Sequence, residues 1–129
     1  MKIPRAPEGV NLTLNLHWAR QKKVLYKYGR GALLWRWFYE QVRNGGPWDF
    51  KQQGAEYQDF GNFHYGAVGT AAGFSSFVLQ RAAGFAQFRA GTTEEDITWV
   101  DWFSFPYGDD RNDQMMILEG IKYAICHPL

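Results

Sequence analysis

The 129-residue chain has only one cysteine, Cys126, which rules out an internal disulfide and any metal site built from several thiolates. A chain so poor in cysteine suits folding in a reducing cytosol. No apolar run approaches the roughly 18 residues needed to cross a bilayer, so membrane insertion is not expected. The opening "MKIPRAPEGV" has no apolar stretch of the signal-peptide kind, and export would need another route or another part of a longer polypeptide. Neither sign of charge dominates: 14 Lys and Arg face 13 Asp and Glu, for a net charge of +1. Proteins that live by gripping a phosphate backbone usually carry a strong basic surplus. A serine nucleophile elbow, a phosphate-binding loop, a zinc-protease motif and a dinucleotide fingerprint are all missing.

What is present is bulk and rings. The chain is 46% hydrophobic and 18% aromatic, enough to build one core at a length typical of one domain. Pro4 and Pro7 make residues 1–9 an extended lead-in. "LLWRWFYEQV" spaces Leu34, Phe38 and Val42 at helical intervals, with Leu33 and Trp37 beside them, and Asn44-Gly45-Gly46-Pro47 stops the helix. Before it, Leu12, Leu14 and Leu16 alternate as in a strand, but Trp18, Leu25 and Tyr26 favour a helix. This segment also gathers Arg20, Lys22, Lys23, Lys27 and Arg30, either a solvated face or an anion-contacting patch. "SSFVLQRAAGFAQFRAG" predicts a helix capped by Ser75 or Ser76, with Val78, Ala82 and Phe85 inward and Gly91 at its end. "TTEEDITWVDWFSFPYG" predicts a loop with a short strand near 97–100. The last helix starts at Asp109 or Asp110 and presents Met115, Leu118, Ile121 and Ile125 on one side. The expected fold is mainly α: a single-domain helical bundle over 1–129, with at most a short β element.

"GPWDFKQQGAEYQDFGNFHYGAVG", residues 46–69, concentrates five of the awkward glycines with ionisable and aromatic side chains, and so predicts a complicated connection or a site. His64 can exchange a proton near neutrality, or can sit hydrogen-bonded inside an aromatic cluster. Asn62 and Tyr65 beside it offer hydrogen bonds. Asp49 and Lys51 point the same way if the backbone is extended, as base and anion-stabilising cation or as a local ion pair. Asp109, Asp110 and Asp113 are three carboxylates in five residues. Capping and the helix dipole explain them without a metal, and the spacing is not that of a calcium loop, so neither metal nor cofactor is expected. His17 and His127 are weaker candidates, and Cys126 beside His127 is poorly placed for nucleophilic work.

"WFYEQVRNGGPWDFKQQ", "YQDFGNFHYGAVGTAAGF", "LQRAAGFAQ" and "PYGDDRNDQMMILEGIKY" together, from Trp37 to Tyr123, resemble the bacterial polymorphic toxin type 44 family. The family often has Asp-Pro where this chain has Asp110-Arg111, a change that falls in the first helical turn. The resemblance implies a mainly helical effector domain of an interbacterial competition system, with residues 1–9 as its junction to a larger secreted or contact-delivered protein. It points to His64, Asp49, Lys51 and Asp113 as catalytic residues, and to Trp48, Asn62, Tyr65, Arg81 and Asp110 as substrate-binding ones. It further implies a cognate immunity protein and a domain that is monomeric when free. Two reactions compete. One is hydrolysis of peptidoglycan in the target periplasm, favoured by the near-zero charge, the rings and the carboxylates around one His. The other is metal-independent RNA cleavage in the target cytosol, with His64 as base and Lys51 and Arg81 steadying the phosphorane.

Overall fold

A computed structural model of the chain describes residues 2–89 and 109–128. Five helices follow in order: α1 Leu12–Leu25, α2 Gly31–Val42, α3 Gln58–Ala71, α4 Ser76–Arg89 and α5 Arg111–Cys126. Two short 3₁₀ turns, Phe50–Gln53 and Ala55–Tyr57, lead into α3. No strand occurs among the described residues, and the strand expected near 97–100 lies outside them. None of the described helices is long and apolar enough to cross a membrane.

The glycine-rich stretch is the largest surprise, because its second half is the central helix of the fold. α3 buries Phe60, Phe63, His64, Gly66, Ala67, Val68, Gly69 and Ala71. It lies against α5, and the two run the same way. Gln58 meets Asp113 at one end, the Phe63 and Tyr123 rings meet at a tilt further along, and Thr70 and Ala71 share a cavity wall with Ala124 and Ile125 at the other. At the midpoint the backbones touch. A Cβ on Gly66 would run into the Ile117 carbonyl, and one on Gly120 into the Phe63 carbonyl. Glycine's cost in a helix is roughly 1 kcal/mol against alanine. Here it is offset by a helix–helix approach that no larger residue permits.

The stops and starts follow side-chain chemistry. Asn11 caps α1, its side chain accepting from the Leu14 amide at 3.0 Å, which settles the leucine-rich start as helix. Ser75 caps α4 through the Val78 amide, and Asp110 caps α5 through the Asp113 amide at 3.1 Å. α2 ends at Val42, and Gly45 takes the positive φ of 81° that the following turn needs.

Around the α3–α5 pair, α1 inserts Leu16 and Ala19, α2 inserts Phe38, and α4 inserts Leu79. The stripes read from sequence hold in part: Ile121 is buried and Leu118 packs against the core, while the Phe85 side chain and Gly91 lie outside the described residues. Val78, Met115 and Ile125 are 39%, 44% and 64% exposed, while Leu79, Ile117, Gly120 and Ala124 are buried. The buried seam of α5 interleaves Ile117 and Ile121 with the small Gly120 and Ala124, which apolar spacing alone does not pick out.

Candidate functional site

Because α3 and α5 are parallel, their N-termini emerge side by side, and the positive ends of both helix dipoles face one end of the molecule. Acidic side chains collect there: Asp59 in the first turn of α3, and Asp109, Asp110 and Asp113 at the start of α5. The dipoles stabilise nearby carboxylates. Burial opposes them at two positions and wins.

Asp113 is 9% exposed. One of its oxygens accepts from the Gln58 amide nitrogen at 2.9 Å. Loss of water raises its pKa above the ordinary carboxylate range, and the Asp110 and Asp59 charges push the same way. The Gln58 hydrogen bond and the Lys51 charge pull it back in part. Asp109, also buried, is raised mainly by desolvation. Its oxygens accept from the Asp110 amide at 2.8 Å and from Gln114 Nε2 at 2.9 Å. Gln114 is fully buried and also donates to the Gln80 carbonyl. Asp110 is exposed, and Asn112 donates to Asp59 at 3.1 Å. A buried carboxyl whose pKa is raised thus stands next to a solvent-exposed one, with a lysine charge near the first. Among the described residues, no three His, Cys, Asp or Glu side chains converge as a metal-ligand set.

The central imidazole lies elsewhere. His64 is on the face of α3 turned to α1 and to the 3₁₀ turn, fully buried, with Trp48, Phe50 and Phe60 at ring-centroid distances of 5.0, 4.8 and 5.6 Å. Asn15 of α1 hydrogen-bonds its Nε2 at 3.0 Å. An amide nitrogen is a donor, so Nε2 accepts and Nδ1 holds the proton. That Nδ1 has no hydrogen-bond partner among the described residues. Burial pushes the His64 pKa down to about 3, so the ring is neutral across the physiological range.

The other expected site residues divide between the acidic end and the packing. Lys51 is exposed on the 3₁₀ turn, near enough to Asp113 to act on its charge. Asn62 lies one turn beyond Gln58 and donates to its carbonyl at 3.2 Å. Asp49 is buried and holds the Gly45 amide at 2.9 Å, bracing the turn after α2. Trp48 packs edge-on between Trp37 and His64. Tyr65 donates its hydroxyl to the Leu79 carbonyl at 2.7 Å. Its pKa is raised by burial and then by Asp109. Arg81 stacks over Phe77 with 3.6 Å to the ring centroid. The structure therefore brings Lys51, Asn62, Asp110 and Asp113 to one end, and leaves the His64 ring inside. Gln58, Gln114 and Asn15 are the polar partners that sequence reasoning missed. A lone amide carries no motif, and only the α3–α5 register shows what each one meets.

A family model described as bacterial toxin 44 matches residues 52–125, more than half of the chain. No curated protein and no solved structure matches it. The matched span holds α3, α4, all but the last residue of α5 and the four carboxylates of the acidic end, and excludes α1, α2 and Lys51.

Proposed function

The chain belongs to the bacterial toxin 44 family, and on that premise we propose that it is an effector domain that hydrolyses the peptidoglycan of a target bacterium at the acidic end of α3 and α5. One observation carries the reading: Asp113, a carboxyl whose pKa burial raises, stands beside the exposed carboxylate of Asp110. Glycosidic bonds are broken by such unlike pairs, in which one carboxyl arrives protonated and the other ionised. Asp113 gives its proton to the leaving sugar oxygen as the glycosidic C–O bond breaks, and the Asp110 carboxylate on the solvent side takes a proton from the water that adds to the anomeric carbon. Lys51 offsets negative charge as the bond breaks, and Asn62 on the rim contacts sugar hydroxyl or amide groups. Asp49, Trp48, Tyr65 and Arg81 hold the scaffold around them. His64 acts as a positioning residue, since its bond to Asn15 ties α3 to α1.

The competing ribonuclease reading asks an imidazole at position 64 to act on substrate, and an acidic rim repels a phosphate chain. The wall reading places the work in the target periplasm. It makes the domain a single effector unit, monomeric when free, joined through residues 1–9 to a larger delivered protein and neutralised in its producer by a cognate immunity protein.

The test is expression in a bacterium with and without a periplasmic export signal, together with release of muropeptides from purified sacculi. Wild type is expected to lyse cells only when exported. Asp113→Asn, still folded by circular dichroism, is expected to lose at least 100-fold of the release activity, the usual scale of a general-acid contribution. Killing from the cytosol with RNA loss, or full activity in Asp113→Asn, would overturn the reading.

A further inference from the structure

The acidic end leaves unused the basic segment of α1 and the two remaining histidines. α1 contains no carboxylate between Leu12 and Leu25. Its His17 and Arg20, one helical turn apart, face the end of α5 across a cavity of about 430 Å³, where Tyr123 and His127 form the opposite wall. Among the described residues, no Asp or Glu lines it. Arg20 is fixed there, with Nη2 donating to the His127 carbonyl at 2.6 Å. It also borders a neighbouring cavity that holds Lys23 and Lys27, which adds to the positive potential.

The hydrogen bonds give the two imidazoles opposite proton arrangements. Gln21 Nε2, a donor, meets His17 Nε2 at 3.2 Å, which leaves the proton of neutral His17 on Nδ1. His127 Nδ1 donates to the Tyr123 carbonyl at 2.8 Å, so the lone pair of neutral His127 is on Nε2. One ring offers an N–H and the other a proton acceptor. A monoanionic phosphate carries both acceptor oxygens and an O–H, and a guanidinium matches two of its oxygens at once. Beside these groups the wall is apolar, with Leu14, Leu16 and the Tyr123 ring, which is stacked on His127 at 4.0 Å between centroids. A flat aromatic portion of a ligand fits that wall.

We infer that the cavity between α1 and the end of α5 is a second site, separate from the acidic end, that binds a phosphate ester of nucleotide type through His17, Arg20 and His127. His17, Arg20 and His127 all lie outside the span shared with the family, so this site belongs to this chain rather than to the family's common reaction.

Calorimetric titration of the whole domain with adenosine monophosphate, inorganic phosphate and the dinucleotide ApA tests it, alongside ¹⁵N spectra of the imidazoles. Binding at 1:1 is expected, with shifts at His17 and His127. His17→Gln and His127→Gln, both at exposed positions, are each expected to weaken it at least tenfold. Arg36→Gln, an exposed cation outside the cavity, should change it less than twofold, and Asp113→Asn should leave it intact whether or not the wall reading holds. Tightest binding of adenosine monophosphate marks a free nucleotide as the ligand, and of ApA a nucleic-acid chain; equal binding of inorganic phosphate reduces the site to the phosphate group. No binding of any probe at millimolar concentration, or an Arg36→Gln loss equal to that of His17→Gln, would overturn the inference.

Discussion

Lowering the pH should destabilise this domain through His64. In the unfolded chain its pKa is near 6.5, and in the fold it is pushed down to about 3. A histidine whose folded pKa is lowered binds its proton more readily when unfolded, so stability falls as pH drops below 6.5 and continues to fall until about pH 3. From pH 7 to pH 5 the linkage relation gives a loss of about 2 kcal/mol from this one ring. That is a large part of the 5–15 kcal/mol typical of a domain. The cause is geometric: protonation would put charge among Trp48, Phe50 and Phe60, with Nε2 facing the Asn15 amide donor and Nδ1 without a partner among the described residues. Asp109 and Asp113 act with the opposite sign, because their raised folded pKa values make acid favourable to the fold. The clean quantity is therefore a difference. Urea melts of wild type and His64→Gln, at pH 7 and pH 5, are expected to show a wild-type loss about 2 kcal/mol larger than that of the variant. Equal losses in the two proteins would refute the reasoning, and so would a ring that titrates near 6.5 by NMR.

Three substitutions probe the packing. Gly66→Ala and Gly120→Ala should each cost about 1–3 kcal/mol in urea unfolding, despite alanine's higher helix propensity, because the new methyl group meets a carbonyl of the facing helix. Gly31→Ala, at the start of α2 with nothing within 4 Å of the added carbon, should be neutral or stabilising by up to about 0.5 kcal/mol in the same assay.

Much of the helix count was legible, because stop and start signals are local. Ser75 and Asp110 cap where their chemistry allows, and Gly45 ends a turn that the Asn-Gly-Gly-Pro run announced. The same local logic misread residues 46–69. Glycine in isolation signals a loop, and only the facing carbonyls of Ile117 and Phe63 turn Gly66 and Gly120 into a packing seam. The candidate residues followed suit. Asp110 and Asp113 could be found from their place at a helix start, and Lys51 from its place beside a turn. The pKa of Asp113, raised by burial, is moderated by a hydrogen bond from Gln58, 55 residues away, and the His64 ring is bonded by Asn15, 49 away. Partners that distant leave no trace in spacing.

The shared direction of α3 and α5 also bears on how the chain folds. All-helical proteins usually form quickly because most of their contacts join near neighbours, but here the central seam ties positions 53 and 55 apart. A long intervening stretch must close before either helix can cover its inner stripe, and the entropy of that closure comes early. The domain should accordingly reach its native state more slowly than a bundle of hairpins of equal size. Cutting the chain anywhere between the two helices, without religation, should leave neither half able to hold its shape alone.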